Sequence, residues 1–286
     1  MTLSCLAPAK INRELRVGGL RPDGFHEIWS RMVSIDLSDR LTVAAAERLD
    51  FSCDDPDVPD GDDNLVVRAA TLLARHAGLQ PRARLRLEKK VPMGRGLGGG
   101  SADAAATLLL LTRFWGLAQS SASLHGIASE LGSDVPFFLT GGEADVTGRG
   151  EVVTPLEDRP PAELVLLLPP FALSTAAVYR AYAGRGTLPE RLEIEAGPSS
   201  RFLGPNDLAS AVLEVEGRME PYLRAAEAVT PDYAISGSGS TIVLHGVPAQ
   251  AFAASAARHP EMHIVPCRTL TRQQFQRRIH PTEGAS

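Results

Sequence analysis

Residues Val91 to Leu111 read VPMGRGLGGGSADAAATLLLL. Five glycines fall in the seven positions from Gly94 to Gly100, and an alanine- and leucine-rich run follows at once. Glycine loses more conformational freedom on folding than any other residue, so a cluster this dense needs a reason. The run after it predicts a helix ending near Gly116, with Ser101 as its cap and Asp103 in its first turn. Small residues let a backbone approach a ligand closely. A helix start adds unpaired N–H groups and a partial positive charge. Together they predict a phosphate cradle, with a tight structural turn as the alternative. Gly94, Gly96 and Gly99 also satisfy a dinucleotide-binding pattern, but its context is wrong. Pro92 stands at the strand end, and no carboxylate follows at the ribose-contact spacing of about twenty residues. A lysine-bearing P-loop is excluded as well, because no lysine precedes Ser101.

Outward from this stretch, helices and strands mix without regular alternation. Asn64 caps a predicted helix, LVVRAATLLARHA, which Gly78 stops. ARLRLEKKV alternates as a strand does. A short helix is expected around Leu124 to Leu131, followed by GSDVPFFLTGG. The segment Thr154 to Glu163, rich in proline and charge, reads as a linker between lobes. Beyond it come a buried strand (ELVLLL), a helix from Ser174 to about Ala183, and a helix capped by Asn206. Two strands around SGSGS, a helix in PAQAFAASAARHP and a last strand in MHIVPCRTL complete the pattern, with a frayed end. This mixture predicts an α+β fold.

The chain has 286 residues, 44% of them hydrophobic, enough for one large domain or two modest ones. A formal charge of −5 creates no field that favours nucleic acid or an anionic membrane as partner. Cys5, Cys53 and Cys267 are too far apart to suggest a disulfide framework or a zinc site, which suits a reducing compartment. The start, MTLSCLAPAKIN, lacks the basic and apolar regions of a signal peptide. The longest apolar runs fall far short of a membrane span. A cytoplasmic protein, monomeric or homodimeric, is expected.

Several motifs occur in one order: APAKIN, RPDGFHEI, DNLVVRAA, the glycine loop, LGSDVPFF, STAAVY, NDL and SGSGS. Together they resemble the GHMP kinase superfamily of small-molecule kinases. The DGFH segment and the placing of PAKIN point to the branch that phosphorylates the 2-hydroxyl of a cytidine diphosphate-linked methylerythritol, in isoprenoid precursor synthesis. The resemblance implies a two-lobed fold, with a ribosomal-protein-S5-like lobe over residues 1–157, a ferredoxin-like lobe over 158–275 and a tail over 276–286. It also implies ATP and Mg²⁺.

Residue by residue, the resemblance implies Asp134 as general base and Lys10 as the cation that stabilises the developing alkoxide. Asn12 matches an acceptor contact. Phe25 and His26 fall where the cytosine is recognised, and Tyr179 matches the opposing aromatic face. On the ATP side stand Pro92, Met93, Gly94, Arg95, Gly96, Leu97, Gly98, Gly99, Gly100, Ser101 and Ala102, with the Ser101 hydroxyl reaching a phosphate or Mg²⁺. Asn64 lies near the adenine by the same resemblance, or only caps its helix. SGSGS matches a turn that packs under the glycine loop, or is a plain hairpin turn.

Some residues depart from the family's pattern. Phe25 stands where tyrosine is usual, Ser133 where alanine is frequent, and Ala102 where a second serine is common. After PAKIN the chain continues as RELRV, so Arg13, Glu14 and Arg16 replace apolar residues. These charges would either alter the acceptor pocket or decorate an exposed edge. Two other functions remain open at this level: a GHMP kinase for a different hydroxyl acceptor, and a non-catalytic nucleotide-binding protein of the same fold.

Overall fold

A computed structural model describes residues 2–183, 201–252 and 259–283. Its frame is a long antiparallel hairpin, β1 (Leu3–Leu20) and β2 (His26–Ala44), joined by a turn over 21–25. One end of β2 pairs with β4 (Ala83–Glu88), which carries β3 (Leu49–Cys53) in parallel. The other end of β2 pairs with β5 (Glu143–Gly148), which carries β6 (Val152–Pro155).

Four helices cover this sheet. In α1 (Leu65–Ala77), Asn64 accepts from the Val66 N–H at 2.7 Å, and Gly78 closes the far end in the left-handed conformation, as expected. The glycine-loop helix α2 (Gly99–Phe114) is buried almost all round, through Ala102, Ala104, Ala105, Ala106, Leu108, Leu110 and Leu111. Its alanines make that possible, because they let β1 and α1 pack closely on either side. Ser120 caps α3 (Ser121–Leu131), and Pro136 falls in the first turn of α4 (Val135–Thr140), where proline is tolerated.

A second antiparallel sheet has the order β10-β7-β9-β8. It comprises β7 (Glu163–Leu168), β8 (Tyr233–Ile235), β9 (Ile242–His245) and β10 (His263–Arg268), with α5 (Thr175–Ala183), α6 (Ala209–Val215) and α7 (Glu220–Glu227) against it. Alternation along β7 explains its unbroken apolar run. Val165 and Leu167 join the core shared with these helices, together with Leu15, Val17 and Ile28 of the long hairpin. Leu164, Leu166 and Leu168 join Ala9, Ile11, Val33 and Ile35 of the first sheet in a separate core. A strand buried on both faces has no polar side.

Three local expectations are corrected, at Ser101, at Asn206 and at the end of the chain. Helix α2 starts at Gly99 with Gly98 as its cap, so Ser101 lies inside the first turn and does not cap it. Asn206 does not cap α6, which starts at Ala209. Its side chain accepts from the Leu208 N–H and donates to the Ile235 and Gly237 carbonyls, holding the β8–β9 turn. Of the stretch PAQAFAASAARHP, Ala249–Phe252 form a 3-10 turn, and 253–258, where the expected helix would continue, lie outside the described residues.

The end of the chain is not frayed through 283. Thr271 and Gln274 form a reciprocal capping box that starts α8 (Arg272–Ile279), and β11 (Thr282–Glu283) pairs with Leu3 and Ser4. Phe275 and Ile279 are fully buried in the core of the first sheet, and Gln276 donates to the carbonyls of Leu139 and Thr140 at the end of α4. The segment that follows the second sheet thus returns to the first. Phe275→Ala is expected to lower stability by about 3–5 kcal/mol, read from urea unfolding.

Candidate active site

The cleft forms where β1 loses register with β2. Pro8 pairs with Ser38 and Lys10 with Ser34, so β2 carries extra residues there; Asn12 pairs with Met32 and Glu14 with Arg31, so Arg13 is extra on β1. Such irregularities re-aim side chains. Here they flank Lys10 and Asn12, both buried.

The Lys10 ammonium donates to Asn12 Oδ1 at 2.6 Å and to the Gly96 carbonyl at 3.1 Å, and lies 3.5 Å from the Asp134 carboxylate. Asn12 is itself held, since its Nδ2 donates to the Ser30 hydroxyl at 2.7 Å and Ser30 donates to the Glu14 carbonyl. Asp134 directly precedes α4 and makes no side-chain cap bond, so its carboxylate, 30% exposed, faces the cleft.

The glycine loop runs through this network. Gly98 has φ +69° and serves as the left-handed cap of α2; a Cβ there would lie 2.8 Å from Phe138 Cζ and 3.1 Å from Lys10 Cε. Gly96, with φ +74°, passes so close to Ser236 that a Cβ would collide with the Ser236 carbonyl. Ser236 Oγ donates to the Gly96 carbonyl at 2.9 Å and accepts from the Asn12 N–H at 3.2 Å. SGSGS is therefore both the β8–β9 turn and the underside of the glycine loop. The first bond of α2 runs from Ala102 N–H to the Gly98 carbonyl, which leaves the N–H groups ahead of it without intrahelical acceptors.

Two adjoining cavities result. The larger, about 380 Å³, is lined by Lys10, Asn12, Asp134, Tyr179 and the loop from Pro92 to Ser101. The smaller, about 180 Å³, is lined by Pro59, Asn64, Leu65, Lys89, Met93, Gly100 and Asp103. Beside the smaller cavity, the buried Lys89 ammonium bridges Asp39 at 2.5 Å and Asp103 at 3.0 Å. Asp39 also accepts the N–H groups of Lys90 and Val91. This triad ties β2 and the exit of β4 to α2 at Asp103, which lies beyond the first turn expected for it, because the helix starts at Gly99.

The GHMP kinases N terminal domain matches residues 64–142. A 4-diphosphocytidyl-2-C-methyl-D-erythritol kinase of Paramagnetospirillum magneticum is 38% identical over 285 residues, spanning 94% of this chain and 99% of the relative. The corresponding kinase of Pelotomaculum thermopropionicum is 44% identical over 223 residues, 77% of each chain. A crystal structure of 4-(cytidine 5'-diphospho)-2C-methyl-D-erythritol kinase superposes with a TM-score of 0.76 at 33% identity, covering 93% of this chain and 98% of the other. The chain belongs to the 4-diphosphocytidyl-2-C-methyl-D-erythritol kinase family of GHMP kinases.

The fold is the α+β fold of GHMP kinases, as the motifs implied. No helix among the described residues is long and apolar enough to cross a membrane. Of the site residues expected for this kinase family, Lys10, Asn12, Asp134, Tyr179 and Pro92 to Ser101 line one cleft. Ala102 points into the core. Asn64 caps α1, and its Nδ2 donates to the Pro59 carbonyl at the edge of the smaller cavity. His26 is buried, bonds the Gly18 carbonyl through Nδ1 at 3.1 Å and stacks on Tyr179 with centroids 5.5 Å apart. Burial pushes the Tyr179 hydroxyl up, with Asp134 adding to the shift, so it stays neutral. Phe25 is 47% exposed, does not line the cleft, and carries the Arg149 guanidinium 5.0 Å from its ring centroid.

The charges of RELRV do not decorate an exposed edge. Arg13 is buried, pairs with Glu143, donates to the Phe202 carbonyl and lies 4.0 Å over the Phe202 ring. Arg16 bridges Glu14 and Asp207. None of the three charged residues lines the cleft; they brace one sheet against the other.

Sequence reasoning missed Ser30, Ser236 as a bridge, and the Lys89 triad. In ARLRLEKKV, Lys89 shares the parity of the buried Ala83, Leu85 and Leu87, a signal for an inward face that does not name the partners waiting there. Burial pushes the Asp103 carboxyl up to about 8, although Lys89 pulls it back. The folded protein therefore holds a proton that the unfolded chain releases near the ordinary carboxylate range. Stability is expected to fall as pH rises toward 8, and this slope is expected to flatten in Asp103→Asn, by urea unfolding at stepped pH.

Proposed function

We propose that the protein transfers the γ-phosphoryl group of ATP to the 2-hydroxyl of 4-diphosphocytidyl-2-C-methyl-D-erythritol. The observation that carries this reading is the approach of the Asp134 carboxylate to the Lys10 ammonium beside a glycine loop that ends in a helix N-terminus. Family membership supports the acceptor, because the relatives bear that name.

In this reading the loop amides and the start of α2 hold the nucleotide phosphates, where N–H groups and the helix dipole favour negative charge. Asp134 takes the proton of the acceptor hydroxyl as its oxygen bonds to the γ-phosphorus and the bond to the ADP oxygen breaks. Lys10 holds the developing charge, and its fixed position, set by Asn12 and the Gly96 carbonyl, requires no reorganisation during transfer. Asn12 positions the acceptor. Asn64 and the smaller cavity receive the adenine. His26, stacked on Tyr179, forms the wall of the cytosine slot.

The Ser101 hydroxyl and the Asp134 carboxylate are hard oxygen donors of the kind Mg²⁺ takes. No group of three histidine, cysteine, aspartate or glutamate side chains among the described residues is placed to hold a metal ion. The donor set suits an ion carried largely by the phosphates, with Ser101 adding one oxygen. When bound, Mg²⁺ neutralises charge on the transferring group. The three cysteines are unpaired, which fits a reducing cytoplasm.

The deciding assay is ADP release with Mg·ATP and each of four acceptors: 4-diphosphocytidyl-2-C-methyl-D-erythritol, mevalonate, homoserine and galactose. Release with the first alone is expected. Release with another acceptor would keep the kinase and reject the substrate. Asp134→Asn is expected to lower kcat by about 10²–10⁴ while leaving the nucleotide Kd near wild type. A kcat within a few-fold of wild type would reject Asp134 as the base.

A further inference from the structure

The glycine loop contains one charged residue, Arg95. Its backbone is fixed against the second sheet, for the Arg95 carbonyl accepts the Thr241 N–H at 3.3 Å and the neighbouring Gly96 abuts Ser236. Arg95 lines the larger cleft with Met93, Thr175, Tyr179 and Ser238. Among the described residues, Lys10 and Arg95 are the two cations lining it.

Their circumstances differ. The Lys10 ammonium already has Asn12, Gly96 and Asp134 around it. Arg95 has no carboxylate partner among the described residues, and its Nε is sealed from solvent without an acceptor. Burial alone holds its guanidinium below the ordinary arginine range, with no anion offsetting the loss of water. Other arginines of this region are paired: Arg13 with Glu143, Arg16 with Glu14 and Asp207, Arg31 with Asp145. A half-buried guanidinium left unpaired in a cleft is matched to an anion that arrives with a ligand. Guanidinium presents parallel N–H donors that suit phosphate oxygens.

We propose that the Arg95 side chain is a phosphate clamp, binding the oxygens of a diphosphate group held in the cleft. This deepens the kinase reading and rests on it. Both substrates of that reaction carry linked phosphates, ATP a triphosphate and the acceptor a diphosphate. The placement of Arg95 within the glycine loop points to the nucleotide, where the side chain would act beside the loop amides.

The test is binding, not turnover, so it stands apart from the acceptor assay. Calorimetry on wild type, Arg95→Ala and Arg95→Lys would use three probes: ADP, adenosine and 4-diphosphocytidyl-2-C-methyl-D-erythritol. Arg95→Ala is expected to raise the ADP Kd about 10–100-fold, the range for loss of a charge-assisted contact, and to leave adenosine unchanged. Arg95→Lys should recover part of the loss, and added salt should shrink the difference between wild type and Arg95→Ala. A rise confined to the cytidine diphosphate compound would keep the clamp and assign it to the acceptor. Equal weakening of ADP and adenosine, which a merely structural role would give, would overturn the proposal. Unchanged binding of all three probes would overturn it too.

Discussion

The buried ammonium of Lys10 is the charge around which the cleft is assembled. A lysine withdrawn from water is tolerable only when its donors meet acceptors in good geometry. Lys10 meets them on three separate pieces of chain: Asn12 on its own strand, the Gly96 carbonyl of the loop, and Asp134 ahead of α4. Each acceptor is restrained in turn, Asn12 by Ser30, Gly96 by Ser236, and Asp134 by the helix it precedes. Moving any of these pieces would leave a buried cation short of a partner. That requirement couples β1, the glycine loop, α4 and the β8–β9 turn into one geometry.

Steric exclusion supplies the second constraint. The loop threads between Phe138 and the Lys10 stem on one side and Ser236 on the other, with no space for a side chain at Gly98 or Gly96. Close passage aims the start of α2 at the cleft. The triad of Asp39, Lys89 and Asp103 then fixes the same helix start from behind.

Two sheets meet at the cleft, and continuity of chain holds them there. The β1–β2 hairpin contributes Ala9, Ile11 and Val33 to one core and Leu15, Val17 and Ile28 to another. Arg13, the extra residue of the β1 irregularity, reaches from Glu143 of the first sheet to Phe202 beside the second. Phe202 stacks on His245, and Asp232 accepts the N–H groups of Phe202 and Leu203 while bonding His245 Nδ1. What reads along the chain as an anomalous run of charge is a brace, with its guanidinium buried and paired.

Local signals in the sequence determined much of this protein. The caps at Asn64 and Gly78, the apolar run of β7, the alanine-rich α2 and the turn at SGSGS all follow from side chains acting on their own backbone. The ordered motifs likewise carried the kinase family and the residues that converge on the cleft. Other features lay beyond local reading. Ser101 sits inside α2 because Gly98, in the left-handed conformation, already caps the helix. Asn206 turns away from α6 because the carbonyls of Ile235 and Gly237 lie within its reach. Residues 272–283 return to the first sheet because Phe275 and Ile279 find burial there. The alternation of β4 turns Lys89 inward, but its partners Asp39 and Asp103 arrive from distant parts of the chain. Backbone propensity is written within a few residues, whereas the partner of a buried charge or aromatic ring is supplied by whatever the fold brings beside it, and only the tertiary structure decides that.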